Sequence, residues 1–235
     1  MRRTVVLAIG TSVLLFGISV ATPVSAQEQP VCGPPGDELP ATIVGAGTII
    51  GTPGVDVIVG SAGVDIINGL AGNDVICGEG GNDAISGDLG DDVLIGDGFD
   101  APPFIPSTGN NDDRLSGGPG NDRLAGLGGD DSMDGGSGND ELIGMGGHDD
   151  INGGSGADTA FGGPLNDLII GGSGADSLWG NYGSDVISGG SGNDVIDGDN
   201  PLPPPPVLPF PPGTNNDTCS GGTGANTVTN CENQA

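Results

Sequence analysis

Positive charge is almost missing from this sequence, which has no lysine and only four arginines beside 32 acidic residues. The formal net charge is −28, and two of the arginines, Arg2 and Arg3, stand at the extreme N-terminus. A surface of this sign repels nucleic acids and anionic membranes, because both carry negative phosphate groups. We therefore predict no nucleic-acid partner, and we expect a cation to be the main ligand.

Aromatic residues make up only 3% of the chain, and it holds a single histidine, His148. Fifty glycines and nineteen prolines complete a composition that, without a period, is typical of disordered low-complexity segments. His148 lies between a glycine and an aspartate, where a surface turn residue is a better interpretation than a catalytic base. No G-x-S-x-G motif or phosphate-binding loop accompanies it. We predict that the protein is not an enzyme.

Long hydrophobic runs are also missing, with one exception at the N-terminus. The apolar run from Val5 to Val20 follows Arg2 and Arg3 and precedes the small-residue sequence Val24-Ser25-Ala26. This order is that of a secretory signal with its cleavage site, and the run is short for a membrane-spanning helix. We predict a signal peptide at residues 1–26, a secreted, extracellular protein and no membrane insertion. Twin-arginine export is a less favoured alternative.

Only four cysteines occur, and all of them follow the predicted signal peptide: Cys32, Cys77, Cys219 and Cys231. An even number of cysteines in a secreted chain favours disulfides, and their spacing does not suit a zinc site. Three pairings are possible. We favour Cys32–Cys77, which would tie the leader to the first repeats, and Cys219–Cys231, which would close the C-terminal end.

The sequence does contain an aspartate at nearly every ninth residue, within a unit G-G-x-G-x-D-x-U-x in which U is a large aliphatic residue. The unit occurs seventeen times, with sixteen aspartates and one asparagine, Asn226, at its sixth position. Glycine at the first and fourth positions suits a tight turn that exposes carbonyl oxygens, and the three residues after the aspartate favour a β-strand. A solvated acidic face does not require such a fixed phase, so the pattern indicates repeated ligands.

This unit resembles the calcium-binding nonapeptide repeat of RTX, or haemolysin-type, proteins. The resemblance implies an all-β fold, a parallel β-roll (a two-sheet β-solenoid) in which two nonapeptides make one coil. It also implies that Ca2+ ions lie between turns 18 residues apart, bound by aspartate carboxylates and glycine-turn carbonyls. Pairing aspartates within each block of repeats gives about eleven potential sites. The implied metal ligands are Asp56, Asp65, Asp74, Asp83, Asp92, Asp113, Asp122, Asp131, Asp140, Asp149, Asp158, Asp167, Asp176, Asp185 and Asp194.

The apolar residues of the repeats are too few for a large core. The eighth position is aliphatic throughout the two main blocks, as in Ile58 and Ile187, which implies one inward side chain per strand and a narrow two-layer core. Burying one such side chain contributes roughly 1.5–3 kcal/mol, whereas ordering each residue of the unit costs about 1–2 kcal/mol. We therefore expect that multiple Ca2+ ions, bound only by the folded form, supply the balance.

Two proline-rich insertions interrupt the period, and both return through the sequence Asn-Asn-Asp. We interpret them as loops extruded from a turn; flexible linkers between separate solenoid blocks are the alternative.

Leu165 stands where a glycine belongs and is expected to weaken its turn. Asn226 lacks a charge and Asp217 lacks a complete partner turn, so we expect no calcium at the C-terminal end. The predicted divisions are a signal peptide (1–26), a leader and N-terminal cap (27–50), a first β-roll block (51–95), a proline-rich insertion (96–112), a second β-roll block (113–198), a second proline-rich insertion (199–216) and a C-terminal cap (217–235).

These features favour a secreted calcium-binding protein whose β-roll folds as calcium binds. The alternative is a calcium-stiffened adhesin, or a matrix or cell-surface component. Its protein or glycan partner would contact the proline-rich insertions or the neighbouring Trp179 and Tyr182, although local packing is the favoured interpretation of these two aromatics. A secreted hydrolase is the least favoured function, because a catalytic carboxylate pair has no reason to repeat along the whole chain.

Overall fold

The computed structural model describes residues 31–32, 39–98, 111–199 and 216–234. The predicted signal peptide and the greater part of both insertions lie outside these residues. Within them the protein is all-β, with strands numbered β1 to β22 in chain order. The described residues include no helix that could cross a bilayer.

Twenty of the described strands form two parallel sheets of ten, and after the first two strands of the chain, consecutive strands go alternately to one sheet and the other. A short antiparallel pair, β1 (Val31–Cys32) and β2 (Leu39–Pro40), forms a small third sheet. The first sheet contains β4 (Thr48–Ile50), β6 (Ile66–Asn68), β8 (Ala84–Ser86), β10 (Arg114–Pro119), β12 (Ser132–Ser137), β14 (Asp150–Ser155), β16 (Leu168–Ser173), β18 (Val186–Ser191), β20 (Thr218–Ser220) and β22 (Asn233–Gln234). The second contains β3 (Ile43–Val44), β5 (Val57–Ser61), β7 (Val75–Glu79), β9 (Val93–Asp97), β11 (Arg123–Gly128), β13 (Glu141–Gly146), β15 (Thr159–Pro164), β17 (Ser177–Tyr182), β19 (Val195–Asp197) and β21 (Thr227–Thr229).

The predicted parallel β-roll is confirmed, with each strand aligned on the strand one full coil earlier. Leu115 pairs with Met133 and Leu124 pairs with Leu142, so the register advances by two nonapeptides per coil. Many strands are six residues long rather than three, because the ladder continues through the glycine at the first position into the turn. The connection between two neighbouring parallel strands consists of a turn, one strand of the other sheet and a second turn, so each strand meets its partner 18 residues later.

The stack of coils continues without a break across both insertions. Strand β8 pairs directly with β10 and β9 with β11, although the first insertion lies between them in sequence. Likewise β18 pairs with β20 and β19 with β21 across the second insertion. The repeats therefore form one solenoid, and the alternative of two blocks joined by flexible linkers is wrong.

The core is the predicted pair of aliphatic rows. Alternation along each strand turns one side chain inward, while its neighbours face the turn or the outer surface. The inward residues are almost completely buried in one continuous cluster: Ile49, Ile58, Ile67, Ile76, Ile85, Leu94, Leu115, Leu124, Met133, Leu142, Ile151, Ala160, Ile169, Leu178, Ile187, Ile196 and Cys219. Each coil thus adds only two side chains to the core, which confirms its narrowness.

Both ends of the solenoid are tied by disulfides, in the pairing that the sequence favours. Cys32 bonds to Cys77 across 45 residues and Cys219 bonds to Cys231 across 12. Cys32 is buried in a second apolar cluster on the outer side of the second sheet, together with residues such as Val59. The described part of the leader therefore packs onto the first coils instead of extending away from them.

Candidate metal centre

The turns carry their aspartates in two rows, one along each edge where the chain passes from sheet to sheet. Row one consists of Asp56, Asp74, Asp92, Asp122, Asp140, Asp158, Asp176 and Asp194, and ends at Asn226. Row two consists of Asp65, Asp83, Asp113, Asp131, Asp149, Asp167, Asp185 and Asp217. All sixteen aspartates are buried, the most accessible being only 5% exposed. This burial sets them apart from an ordinary acidic surface.

Within each row, an aspartate bonds to the next one through a single repeated contact. The backbone N–H of each residue donates to Oδ1 of the aspartate one coil later, at 2.7–3.1 Å, in fourteen places among the described residues. The sequence predicts pairs only within each block, whereas the structure also joins Asp83 to Asp113, Asp92 to Asp122 and Asp185 to Asp217.

The second carboxylate oxygen, Oδ2, has no comparable donor. From Asp74 to Asp217, every row aspartate has a buried Oδ2 that forms no hydrogen bond with a described residue. Leaving a buried acceptor unsatisfied is costly, and native structures contain few such atoms. Their recurrence at one position of the repeat therefore indicates that this position takes a ligand.

Glycine at the first position makes room for these oxygens. A Cβ atom placed on Gly135 would lie 2.6 Å from Oδ2 of Asp140 and 2.6 Å from the carbonyl oxygen of Gly153, one coil later. Gly153 stands in the same way beside Asp158 and the carbonyl oxygen of Gly171. No side chain fits at such a position. The repeat thus brings a carboxylate oxygen and a carbonyl oxygen from two successive coils to the same small space.

The electrostatics of the rows are those of acids buried without cations. Burial, with a smaller effect of neighbouring carboxylates, raises the pKa of Asp131 to about 8 and that of Asp167 to about 9, although a backbone hydrogen bond opposes the shift. In the described part of the chain the one salt bridge joins Arg123 to Glu141 near the surface, away from the rows. Without a cation, the folded rows favour protonated carboxyl groups.

The first aspartate of each row differs from the others. Oδ2 of Asp56 accepts hydrogen bonds from the backbone and hydroxyl groups of Thr52, at 2.6 and 2.9 Å. Oδ2 of Asp65 accepts the same pair from Ser61, at 2.7 and 3.0 Å. Both predicted metal ligands therefore have donors from the protein itself. The signal in the sequence is a hydroxyl residue at the second position of these two repeats.

Row one ends at Asn226, whose side-chain amide forms a hydrogen bond where the aspartates have an Oδ2 atom without a donor. Asn226 continues the ladder, because its Oδ1 accepts from the N–H of Asp194 at 2.8 Å. Its Nδ2 group occupies the place of Oδ2 and donates to the carbonyl oxygen of Gly221. An amide thus fits the same space with its polar atoms satisfied, as expected for the uncharged end of this row.

The residues fit a hard divalent cation such as Ca2+. The donors are carboxylate and carbonyl oxygens from two coils, which Ca2+ accepts in numbers of six to eight, and no nitrogen or sulfur ligand stands among them. An ion there would supply the positive charge that the buried Oδ2 atoms lack. Thirteen of the aspartates predicted as metal ligands, those from Asp74 to Asp194, have this environment.

Other candidates from the sequence lie outside these rows. His148 is exposed, with Nδ1 2.9 Å from the carbonyl oxygen of Asn166. Trp179 stacks on Phe161, with ring centroids 4.7 Å apart, which supports local packing as its role. The sequence did not single out Asp97, which is fully buried at the root of the first insertion.

Comparison with known proteins agrees with this geometry. No curated protein is similar enough to this chain to be matched. A family model, the RTX calcium-binding nonapeptide repeat in four copies, matches residues 50–85, 78–100, 107–142, 128–160 and 161–196. These matches cover more than half of the chain and include every aspartate of the two rows except Asp217. The chain therefore belongs to the family of RTX calcium-binding nonapeptide repeat proteins.

Proposed function

We propose that this protein binds Ca2+ ions along both rows and that this binding drives the folding of the β-roll. The observation that carries the proposal is the series of buried Oδ2 atoms without hydrogen-bond donors, each beside a glycine at which a Cβ atom would overlap that oxygen. Because an ion of this site needs oxygens from two coils, it binds the stacked form far better than the extended chain. Ligand that binds only the folded state stabilises that state.

The aspartates impose the requirement for the ion. An ionised carboxylate buried without a partner is strongly unfavourable, so at neutral pH the calcium-free rows would either take up protons or separate. Two side chains per coil give too little apolar burial to offset both this cost and the ordering of a glycine-rich turn. Ca2+ neutralises two carboxylates at once. Folding and calcium binding are then a single equilibrium.

Circular dichroism of the processed protein during titration with Ca2+, and with Mg2+ as a control, tests this function. We expect a cooperative rise of β signal with Ca2+, since Mg2+ sheds its water reluctantly and demands a stricter geometry. Asp140→Asn should weaken the calcium response, whereas Asp150→Asn, an equal charge change at an exposed position, should leave it almost unchanged. A β-rich spectrum that is insensitive to EDTA at neutral pH would contradict the proposal.

We also propose that the protein is secreted and acts outside the cell. Two disulfides support this location, because such bonds persist in oxidising compartments. The predicted cleavage after Ala26 is tested by N-terminal mass analysis of protein recovered from the medium, where a chain that starts at Gln27 is expected. Retention of the full-length chain inside the cell would contradict secretion.

A calcium-stiffened adhesin or matrix component is the second candidate. Both insertions interrupt turns of row two, the first between Gly98 and Asn111 and the second between Asp199 and Asn216, so they leave the solenoid along the same edge. One edge with two insertions suits a docking role. Deleting residues 99–110 should then abolish partner adhesion and leave calcium binding intact; unchanged adhesion after deletion of either insertion would oppose this role.

A further inference from the structure

The last residues of the chain imitate the next turn of row two in a shortened form. In an ordinary coil, the N–H of the glycine at the first position bonds to a strand residue one coil later, as from Gly69 to the carbonyl oxygen of Ser86 at 2.8 Å. Gly198 makes the same bond to Thr229, at 3.1 Å. The carbonyl oxygen of Asn230 then lies beside Gly198, in the place that a glycine carbonyl takes elsewhere.

Glu232 occupies the position that the next aspartate of row two would take. Its Oε2 accepts a hydrogen bond from the N–H of Asp217 at 2.6 Å, which is the contact that Oδ1 of each row aspartate makes with its predecessor. The three residues from Asn230 to Glu232 thus make the contacts that six residues make in an ordinary repeat, from the glycine at the first position to the aspartate at the sixth. The longer side chain of glutamate compensates for the missing residues.

A third carboxylate joins this end of the row. One carboxylate oxygen from each of Asp199, Asp217 and Glu232 lies within 4.8 Å of the other two. Asp217 is completely buried, and its Oδ2 forms no hydrogen bond with a described residue, while the Oδ2 atom also faces Gly198 and the carbonyl oxygen of Asn230. The buried oxygen is an observation independent of the acidic cluster, and it indicates a ligand.

We propose that Asp199, Asp217 and Glu232, with the carbonyl oxygen of Asn230, form a terminal Ca2+ site that joins the root of the second insertion to the C-terminal tail. The proposal rests on the calcium binding proposed above. Neither Asp199 nor Glu232 occupies the sixth position of a repeat, so the nonapeptide motif does not predict the site. This proposal departs from the expectation, drawn from the sequence, that the C-terminal end with Asp217 and Asn226 binds no calcium.

The disulfide beside the site has a role in this arrangement. Cys231 precedes Glu232 directly and is bonded to Cys219, which lies two residues after Asp217. The bond holds the tail against β20 before any ion binds, so that two of the three carboxylates are already close together. A site organised in advance loses less conformational entropy when it binds its ligand. We expect reduction of this disulfide to weaken the terminal site selectively.

Counting calcium ions by native mass spectrometry of the processed, disulfide-bonded protein tests the proposal. Glu232→Gln keeps an oxygen that can accept from Asp217 but removes the charge, and Asp199→Asn gives a second variant outside all strands. We expect each variant to hold one ion fewer than the wild type in the same calcium buffer. Glu141→Gln, which removes an exposed carboxylate paired with Arg123, should hold the wild-type number.

Hydrogen exchange in calcium provides the second measurement. Loss of the terminal ion should reduce protection in β20 and β21 and leave the central strands β12 to β16 as they are in the wild type. The terminal site would be overturned if the wild type and Asp199→Asn held the same number of ions and showed the same protection. Asp199→Asn alone gives this result, even if Glu232→Gln fails to fold. A wild type that binds no calcium at all would overturn the proposed function instead, so the two failures are distinguishable.

Discussion

Acid should replace calcium in folding this protein. The buried carboxyl groups of row two have raised pKa values, so the calcium-free fold binds protons that the unfolded chain, with ordinary carboxyl groups, has already lost. The direction of the pH dependence follows from this difference in pKa. A raised pKa in the fold contributes stability that is complete below the unfolded pKa and is lost as the pH rises through the folded pKa. In EDTA, the β-roll should therefore gain stability as the pH falls.

Four residues set the magnitude between pH 6 and pH 5. Burial raises the pKa of Asp113 and Asp185 to about 7, of Asp131 to about 8 and of Asp167 to about 9. Each then changes the free energy of unfolding by about 1.4 kcal/mol per pH unit in this window. Together they contribute roughly 5 kcal/mol, which is comparable to the whole stability of a small domain. The calcium-free protein should switch between unfolded and folded within one or two pH units.

Far-UV circular dichroism in EDTA, in steps from pH 8 to pH 5, measures this switch, with sedimentation velocity to exclude association near the isoelectric point. General repulsion among surface acids would give a similar trend, so a sample at pH 8 in 1 M KCl is the control. Salt at that concentration screens exposed charges beyond about 3 Å but acts little on buried ones. A β signal that stays constant with pH, or that salt alone restores at pH 8, would refute the explanation based on buried rows.

Five substitutions, two of them controls, test the turn and the core separately. Gly135→Ala should abolish calcium-dependent folding in a titration followed by circular dichroism, because its Cβ atom overlaps the oxygens of the candidate site; Gly146→Ala, whose nearest contact is 3.5 Å, should fold nearly normally. Leu165→Gly should raise the free energy of unfolding, measured by urea denaturation in calcium, by about 1 kcal/mol, because Leu165 has a φ of 80° and is 53% exposed. Leu89→Gly, at a similarly exposed position without a positive φ, should lower it. Ile169→Ala should cost about 2–5 kcal/mol in the same assay, and a loss below 1 kcal/mol would contradict its place in the core.

The period of the sequence was sufficient to predict a solenoid with one inward aliphatic side chain per strand, because such a side chain is buried only when the coils stack. The two-sheet β-roll was implied by the resemblance to the RTX repeat. The sequence favoured loops extruded from a continuous solenoid, but the period alone left separate blocks open. Asp83 and Asp113 are 30 residues apart, which is no multiple of nine, and only the direct pairing of β8 with β10 shows that the excess residues leave the turn.

The contacts at the ends of the rows could not be predicted from the sequence, for a different reason. Thr52 and Ser61 supply donors to Asp56 and Asp65 through backbone and hydroxyl groups, and such bonds depend on the local path of the turn more than on the motif. Glu232 could not be found by its spacing, because the shortened final turn breaks the period just before it. Periodicity predicts what is repeated, whereas caps and terminal sites consist of the residues that depart from it.

The choice between aspartate and asparagine bears directly on the proposed dependence of folding on calcium. Asn226 accepts the ladder hydrogen bond from Asp194 and satisfies its own amide on Gly221, so the shape of the turn does not require a carboxylate. A row of asparagines could therefore stack with its buried polar atoms satisfied and without a cation. Sixteen aspartates at this position instead introduce buried charge at every coil, which lowers the stability of the calcium-free fold. Under the proposed function, the carboxylates would make the folded state conditional on a cation, and the amide of Asn226 would be the point where that condition ends in row one.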